Sequence, residues 1–191
     1  MKKLIVFDFD QTLFSTPEPE DGKKIWKEKT GEEYPQNKGW WGRPESLDNE
    51  MFDIKPLPNI YSKFKKDVSN PNNYVIILTA RQEKLRPQVE KILNDNNIKP
   101  DELIMRSGNK DKGDIILDFV KENPDLKSIT VYDDFAGGMK HKIKEFMDIK
   151  NKLPEDIEYN IFGVKNDEIN IFETTNYLLS IITEEIIKLK G

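Results

Sequence analysis

Leu4-Ile5-Val6-Phe7-Asp8-Phe9-Asp10-Gln11-Thr12-Leu13-Phe14 decides how the rest of the chain is read. The apolar run with its β-branched members predicts a buried strand, and the carboxylates that close it predict a strand running into a loop. In an open α/β sheet the functional crevice lies just beyond the carboxyl ends of the strands, so Asp8 and Asp10 stand where a site belongs. On a straight strand residues two apart share a face, whereas a turn just after Asp8 swings the second carboxylate over the first. Either geometry crowds two negative charges, which repel and favour protonation of one of them. A divalent cation removes that conflict, and ligation by oxygen alone points to Mg²⁺. The stretch implies a metal-assisted site for an anionic substrate.

Outward from this strand the chain alternates between two periods. Pro58 suits a first helical turn, and Ile60, Tyr61, Phe64 and Val68 carry helical apolar spacing up to Asn70-Pro71-Asn72-Asn73. Tyr74-Val75-Ile76-Ile77-Leu78 predicts a second buried strand, ending in Thr79-Ala80-Arg81. A helix through Leu85, Val89, Ile92 and Leu93, a short strand Glu102 to Arg106 and a helix through Ile115, Ile116, Phe119 and Val120 follow. Ser128-Ile129-Thr130-Val131-Tyr132 is the fourth predicted strand and runs into Asp133-Asp134. A helix through Met139, Ile143 and Phe146, a fifth strand from Glu158 to Val164 and a closing helix from Asn176 to Lys190 complete the expectation. Strands alternating with helices imply parallel βαβ units, and so an α/β, Rossmann-like, five-stranded parallel sheet with helices on both faces.

Residues 14–57 break this rhythm. They hold Pro17, Pro19, Pro35, Pro44 and Pro56 and all three tryptophans of the chain. They are expected to form a small cap inserted after the first strand, over a core made of 1–13 and 58–191. Within the insertion, Gly39-Trp40-Trp41-Gly42-Arg43-Pro44 has two readings. Trp40, Trp41 and Arg43 can stack on a flat ligand such as a base or sugar. A small cap also needs large aromatics simply to build a core of its own.

Composition narrows the chemistry. A chain of 191 residues with 36% apolar and 34% charged residues suits one α/β domain with an insertion. The net charge of −5 argues against broad nonspecific binding to nucleic acid, which depends on neutralising phosphates. Zero cysteines exclude disulfides, thiolate metal sites and cysteine nucleophiles, and one histidine, His141, excludes a multi-histidine metal centre. No stretch reads as a signal peptide or membrane span, so the expected location is the cytoplasm, without a membrane partner.

Three predicted strands end in polar groups that the rest of their length does not prepare for: Asp8/Asp10, Thr79/Arg81 and Asp133/Asp134. In a parallel sheet those ends lie on one edge. Lys110-Asp111-Lys112, where a helix begins, can bring an ammonium to the same edge, with Lys112 favoured over Lys110 by its distance from the apolar run. One Asp free to attack, a metal, a hydroxyl and an ammonium suit phosphoryl transfer, where charge spreads over the transferring oxygens. An aspartate can itself be the nucleophile, forming an aspartyl phosphate that water then hydrolyses.

Asp8-Phe9-Asp10-Gln11-Thr12 resembles the first motif of the haloacid dehalogenase (HAD) superfamily. Thr79 resembles its second motif, Lys112 its third and Asp133-Asp134 its fourth, in the expected order on the expected elements. More loosely, Leu13 to Pro17, Trp26, Gly39-Trp40-Trp41 and Leu78-Thr79-Ala80-Arg81 resemble the phosphatase domain of the Swiss Army Knife RNA repair proteins. His141 lies about where that group carries a histidine, whereas Phe135 stands where it carries an arginine. The resemblance implies Asp8 as nucleophile and Asp10 as the group that protonates the leaving oxygen and then activates water. It implies Mg²⁺ held by Asp8, the Asp10 carbonyl and an acid of the pair Asp133/Asp134, with Asp134 in contact and Asp133 acting through water or holding Lys112. Thr79, Lys112 and the N–H groups of Phe9 and Asp10 would grip the phosphoryl oxygens, with Thr12 and Ala80 beside the substrate, while Arg81 either binds substrate or pairs with a nearby acid. The expected activity is Mg²⁺-dependent hydrolysis of phosphomonoesters, with terminal phosphates of nucleic acid or nucleotides as the specific expectation and small sugar or nucleotide phosphates as the alternative. A receiver-like phospho-accepting domain or a non-catalytic binding module is the reading from another class; the Asp-x-Asp on the first strand and the late acid pair run against receiver order.

Overall fold

The structure, a computed structural model, describes residues 3–35, 39–106, 108, 110–134 and 146–171. At its centre lies β1, Lys3–Phe7, whose last four residues are buried. Both edges of β1 are used. It pairs in parallel with β2, Asn73–Gln82, and with β4, Ser128–Asp133, so that Phe7 lies opposite Ile77 on one side and Tyr132 on the other. With β3, Glu102–Arg106, β5, Glu158–Lys165, and β6, Glu168–Ile171, the order is β3-β2-β1-β4-β5-β6. The chain moves outward from β1 to β3 and then returns to the other side of β1. The strand order therefore reverses at β1, and a crevice opens beyond its carboxyl end.

Strand alternation splits the core into two layers. Ile5, Phe7, Val75 and Ile77 face α3, Pro58–Val68, and α4, Arg86–Asp95, through Ile60, Phe64, Val89, Ile92 and Leu93. Leu4, Val6, Ile76 and Leu78 face the other way, against Ile116 and Val120 of α5, Lys112–Glu122, and against Phe146 and Ile149 of the helical stretch 146–150. Burial on both faces is why β1 and β2 read as continuous apolar runs rather than alternating ones.

Two expectations change. The sheet has six strands, and the sixth is antiparallel to β5. Asn166 and Asp167 join the two strands at φ 51° and 65°, the left-handed pair of a tight hairpin turn. β6 has almost no buried residues, so no apolar run marks it. The second strand also runs four residues past Leu78, to Gln82, with a register shift against β3 between Thr79 and Gln82. Met139, Ile143, His141, Phe135 and the expected helix from Asn176 to Lys190 lie outside the described residues. No described helix is long and apolar enough to cross a membrane.

Residues 14–57 leave and rejoin the sheet side by side. Leu57 N–H donates to Leu13 C=O at 3.0 Å and Ser15 N–H to Lys55 C=O at 2.9 Å. Between these ends lie α1, Pro19–Thr30, a 3₁₀ turn Pro44–Leu47 and α2, Asn49–Phe52. Tyr34 and Trp40 are buried here, and Phe14, Leu47 and Ile54 join the layer that covers α3 and α4.

Candidate active site

Asp8 continues the ladder one step beyond β1, its N–H donating to Tyr132 C=O at 2.9 Å, and is then buried at 5% exposure. The chain turns immediately. Gln11 takes φ 55°, its N–H donates to Thr16 Oγ1 at 3.3 Å, and Phe14 N–H returns to Phe9 C=O at 3.0 Å. The turn separates the duties of the two carboxylates instead of leaving them on one straight strand.

Asp8 faces Asp133 and Asp134 at the end of β4, and one carboxylate oxygen of each lies within 4.8 Å of the others. Lys112, the first residue of α5, places Nζ 2.7 Å from Asp8 Oδ1 and 2.7 Å from Asp133 Oδ2. Asp111 caps that helix by accepting from Asp114 N–H at 2.7 Å, which fixes where Lys112 starts. Burial alone would push the Lys112 ammonium below its ordinary value, but Asp133 and Asp8 outweigh it and hold it well above. Lys110 points elsewhere, to Asp118 at 2.7 Å on the surface. Three carboxylates against one ammonium form an oxygen-only, net-negative donor set that can hold a hard divalent cation such as Mg²⁺.

Asp10 belongs to a second network. Arg81, buried at 2% exposure, donates from Nε to Asp10 Oδ2 at 2.9 Å and from Nη2 to Asp10 Oδ1 at 2.8 Å. Its Nη1 donates to Ser46 Oγ at 2.5 Å and Trp41 C=O at 3.0 Å, and its guanidinium carbon lies 4.8 Å from the Trp41 ring centre. One side chain from β2 thus joins the second carboxylate to the 14–57 segment. Thr79, buried beside it, accepts Arg81 N–H at 3.1 Å through Oγ1, which leaves the hydroxyl proton to be donated.

The remaining expected contacts divide. Ala80 is exposed, and Trp41 keeps 36% of its surface. Arg43 turns Nε and Nη2 to Glu45 at 3.2 and 2.9 Å. The Phe9 ring packs on Phe14 in the core, so only its main chain can meet a ligand. Trp40 follows the second of its two readings: at 3% exposure it donates Nε1–H to Pro17 C=O at 3.0 Å and packs between Tyr34 and Phe52, in the core of the segment. Thr12 is fully buried, and its hydroxyl has no hydrogen-bond partner among the described residues. Ser46 escaped notice, because nothing in Pro44-Glu45-Ser46-Leu47 marks a partner for an arginine 35 residues away.

No family model matches the chain. Uncharacterized protein YMR265C of Saccharomyces cerevisiae is 27% identical over 158 residues, covering 69% of this chain and 34% of the yeast protein. The chain thus spans about a third of the curated relative it matches. Among solved structures, the HAD domain of effector protein Lem4 from Legionella pneumophila superposes with TM-score 0.51 at 16% identity, over 99% of this chain and 97% of that one. A chain of the Pnkp1/Rnl/Hen1 complex superposes with TM-score 0.48 at 15% identity, over 86% of this chain and 46% of its own. The chain has a HAD-like α/β fold.

Proposed function

We propose that this chain is a Mg²⁺-dependent phosphomonoester hydrolase that works through an aspartyl phosphate on Asp8. The observation that carries the reading is the buried Asp8 carboxylate at the switch point of the sheet, met at once by Lys112, Asp133 and Asp134. A bound Mg²⁺, held by Asp8, Asp134 and the Asp10 carbonyl, would neutralise charge on the transferring phosphoryl oxygens. Asp133 keeps Lys112 in place. An Asp8 oxygen attacks phosphorus, the bond to the leaving oxygen breaks, and Asp10 supplies the proton that oxygen needs. Lys112, the Thr79 hydroxyl and the main-chain N–H groups of Phe9 and Asp10 hold the phosphoryl oxygens in the attacking geometry. Asp10 then takes a proton from water, whose oxygen attacks phosphorus and returns Asp8 as a free carboxylate.

The substrate we infer is a terminal phosphate on nucleic acid or a nucleotide. The half-exposed Trp41 ring beside Arg81 supports it, since it offers a flat face next to the reacting carboxylates. A small-phosphate substrate is the second reading, supported by the Arg81 link that ties the 14–57 segment down onto Asp10, as a closing lid would require. The test is phosphate release with and without Mg²⁺ from 3′- and 5′-phosphorylated oligonucleotides, mononucleotides and sugar phosphates. Asp8→Asn is expected to lower turnover by about 10³-fold or more, since it removes the nucleophile. Undiminished hydrolysis by that variant rules the mechanism out.

A further inference from the structure

Beyond Arg81 the end of β2 borders a second hollow, a cleft of about 720 Å³ between the residues around Gly42 and the start of α4. Gly42, Arg43, Gln82, Lys84 and Gln88 supply its polar lining, and Pro44 and Leu85 its apolar part. Among the described residues no carboxylate lines it, although the chain as a whole has a net charge of −5.

We propose that this cleft receives a second phosphate, carried by the leaving group, so that the substrate is a nucleoside phosphorylated at two positions or the phosphorylated end of an oligonucleotide. The proposal rests on the hydrolase reading of Asp8. Lys84 makes no ion pair among the described residues, because the neighbouring acid Glu83 turns to Arg86. Its ammonium is left for an anion from outside. Arg43 spends two of its nitrogens on Glu45, while its donor Nη1 is enclosed without a partner among the described residues; Gln88 Oε1 in the same lining is an enclosed acceptor that calls for a donor such as a sugar hydroxyl. Buried polar atoms in that condition are costly, and a small shift of either side chain toward a bound ligand relieves them. A Cβ on Gly42 would lie in ordinary contact, 3.9 Å from Gln82 Oε1 and 4.0 Å from Lys84 Nζ, so a branched side chain there would fill the space beside the ammonium. A guanidinium and an ammonium around one opening match the oxygens of a phosphate.

The placement suits a single molecule spanning both sites. Gln82 follows Thr79 by three residues on the same strand, at most about 10 Å at strand rise and less across the register shift between them. One nucleoside can bridge that span, with Trp41 beside the path for its base or sugar. A sugar monophosphate would leave the cleft empty.

The experiment uses the full chain with Mg²⁺ and compares kcat/KM for a nucleoside 3′,5′-bisphosphate, the matching monophosphates, a short oligonucleotide with a terminal phosphate, and p-nitrophenyl phosphate. The bisphosphate or the oligonucleotide end is expected to exceed the monophosphates by about tenfold or more, the effect of one charge-assisted contact. Lys84→Glu and Gly42→Val are each expected to erase most of that preference when every value is normalised to p-nitrophenyl phosphate. Preference for the oligonucleotide places the second phosphate in a polymer, and preference for the bisphosphate places it in a free nucleotide. Equal kcat/KM for mono- and bisphosphate in the wild type, or a preference untouched by Lys84→Glu, overturns the proposal. A parallel titration of bisphosphate and monophosphate against Asp8→Asn, followed by tryptophan fluorescence, separates the two readings. Tighter bisphosphate binding that Lys84→Glu abolishes keeps the cleft assignment even where no substrate turns over, and equal affinity removes it.

Discussion

Lys112 is the residue that offsets the charge of the buried carboxylates. Asp8 and Asp133 are 6% and 1% exposed at their side chains, and the ammonium between them is their shared counter-charge. Removing one member of a buried ionic group strands the others, at about 3–5 kcal/mol. Lys112→Met is therefore expected to lower the melting temperature by roughly 6–20 °C at neutral pH, on the scale of a domain this size. Mg²⁺ should then raise the melting temperature of the variant more than that of the wild type, because the cation takes over the neutralising role. No Mg²⁺ response in either protein would show that no cation binds between these carboxylates. The pH dependence has a definite sign. Burial lowers the lysine's affinity for its proton, Asp133 and Asp8 raise it further, and the net displacement is upward from 10.5. The contribution is then fully present below 10.5 and is lost as pH climbs through the higher folded value, so the gap between wild type and Lys112→Met should persist at pH 9 and narrow only above about 10.5. Differential unfolding at pH 8, 9 and 11 checks this. The residues of this group were legible in the sequence because each stands at the end of an apolar run or the start of a helix. That Arg81 could pair with an acid was legible, but that the acid is Asp10 was not, since the tie joins positions 71 apart and depends on a segment without periodicity.

At the level of elements, the 14–57 segment is where sequence reading reached its limit. Prolines, glycines and tryptophans announced an interruption, but nothing in Gly39-Trp40-Trp41-Gly42 says which indole turns inward. Tertiary packing decides it, through Gly22 of α1. A Cβ at Gly22 would lie 2.1 Å from Trp40 Cζ2 and 2.2 Å from Cη2, so the helix presents a bare backbone to the ring. The ring has little room to yield, because its N–H is bound to Pro17 and its faces meet Tyr34 and Phe52. Gly22→Ala sets two effects against each other. Alanine inside a helix gains about 0.5–1 kcal/mol, while forcing a methyl into a packed core costs about 1–3 kcal/mol. The clash is expected to win, with a net loss of roughly 1–2 kcal/mol and a changed near-ultraviolet signal from Trp40. An alanine variant as stable as the wild type would mean that the indole is not fixed in this pocket. The same limit explains β6: a short, exposed strand after an Asn-Asp turn carries neither an apolar run nor a glycine to announce it.

Across the whole molecule, the parallel order that gathers Asp8, Thr79 and Asp133 on one edge followed from the alternation of periods, but the far edge of the sheet also reaches back to the insertion. α3 begins at Pro58 after Leu57, which supplies no capping side chain. The cap comes from the β5–β6 turn, where the Asp167 carboxylate accepts Asn59 N–H at 3.0 and 2.9 Å and Ile60 N–H at 3.1 Å. An anion at a helix N-terminus also opposes the positive end of the helix dipole. The residue before that helix, Leu57, is the one whose N–H binds Leu13 where the 14–57 segment rejoins the core. Asp167→Ala is expected to cost about 1 kcal/mol, the usual loss for an N-cap. The loss should be local, with faster hydrogen exchange at Asn59 and Ile60 and at the adjoining Leu57 amide, while the amides of β1 and β4 keep their protection. Exchange that quickens equally across the central strands would mean that the hairpin supports the sheet as a whole. Unchanged exchange at all three amides would mean that the cap is not formed in solution, and that the 14–57 segment is anchored without help from the far edge.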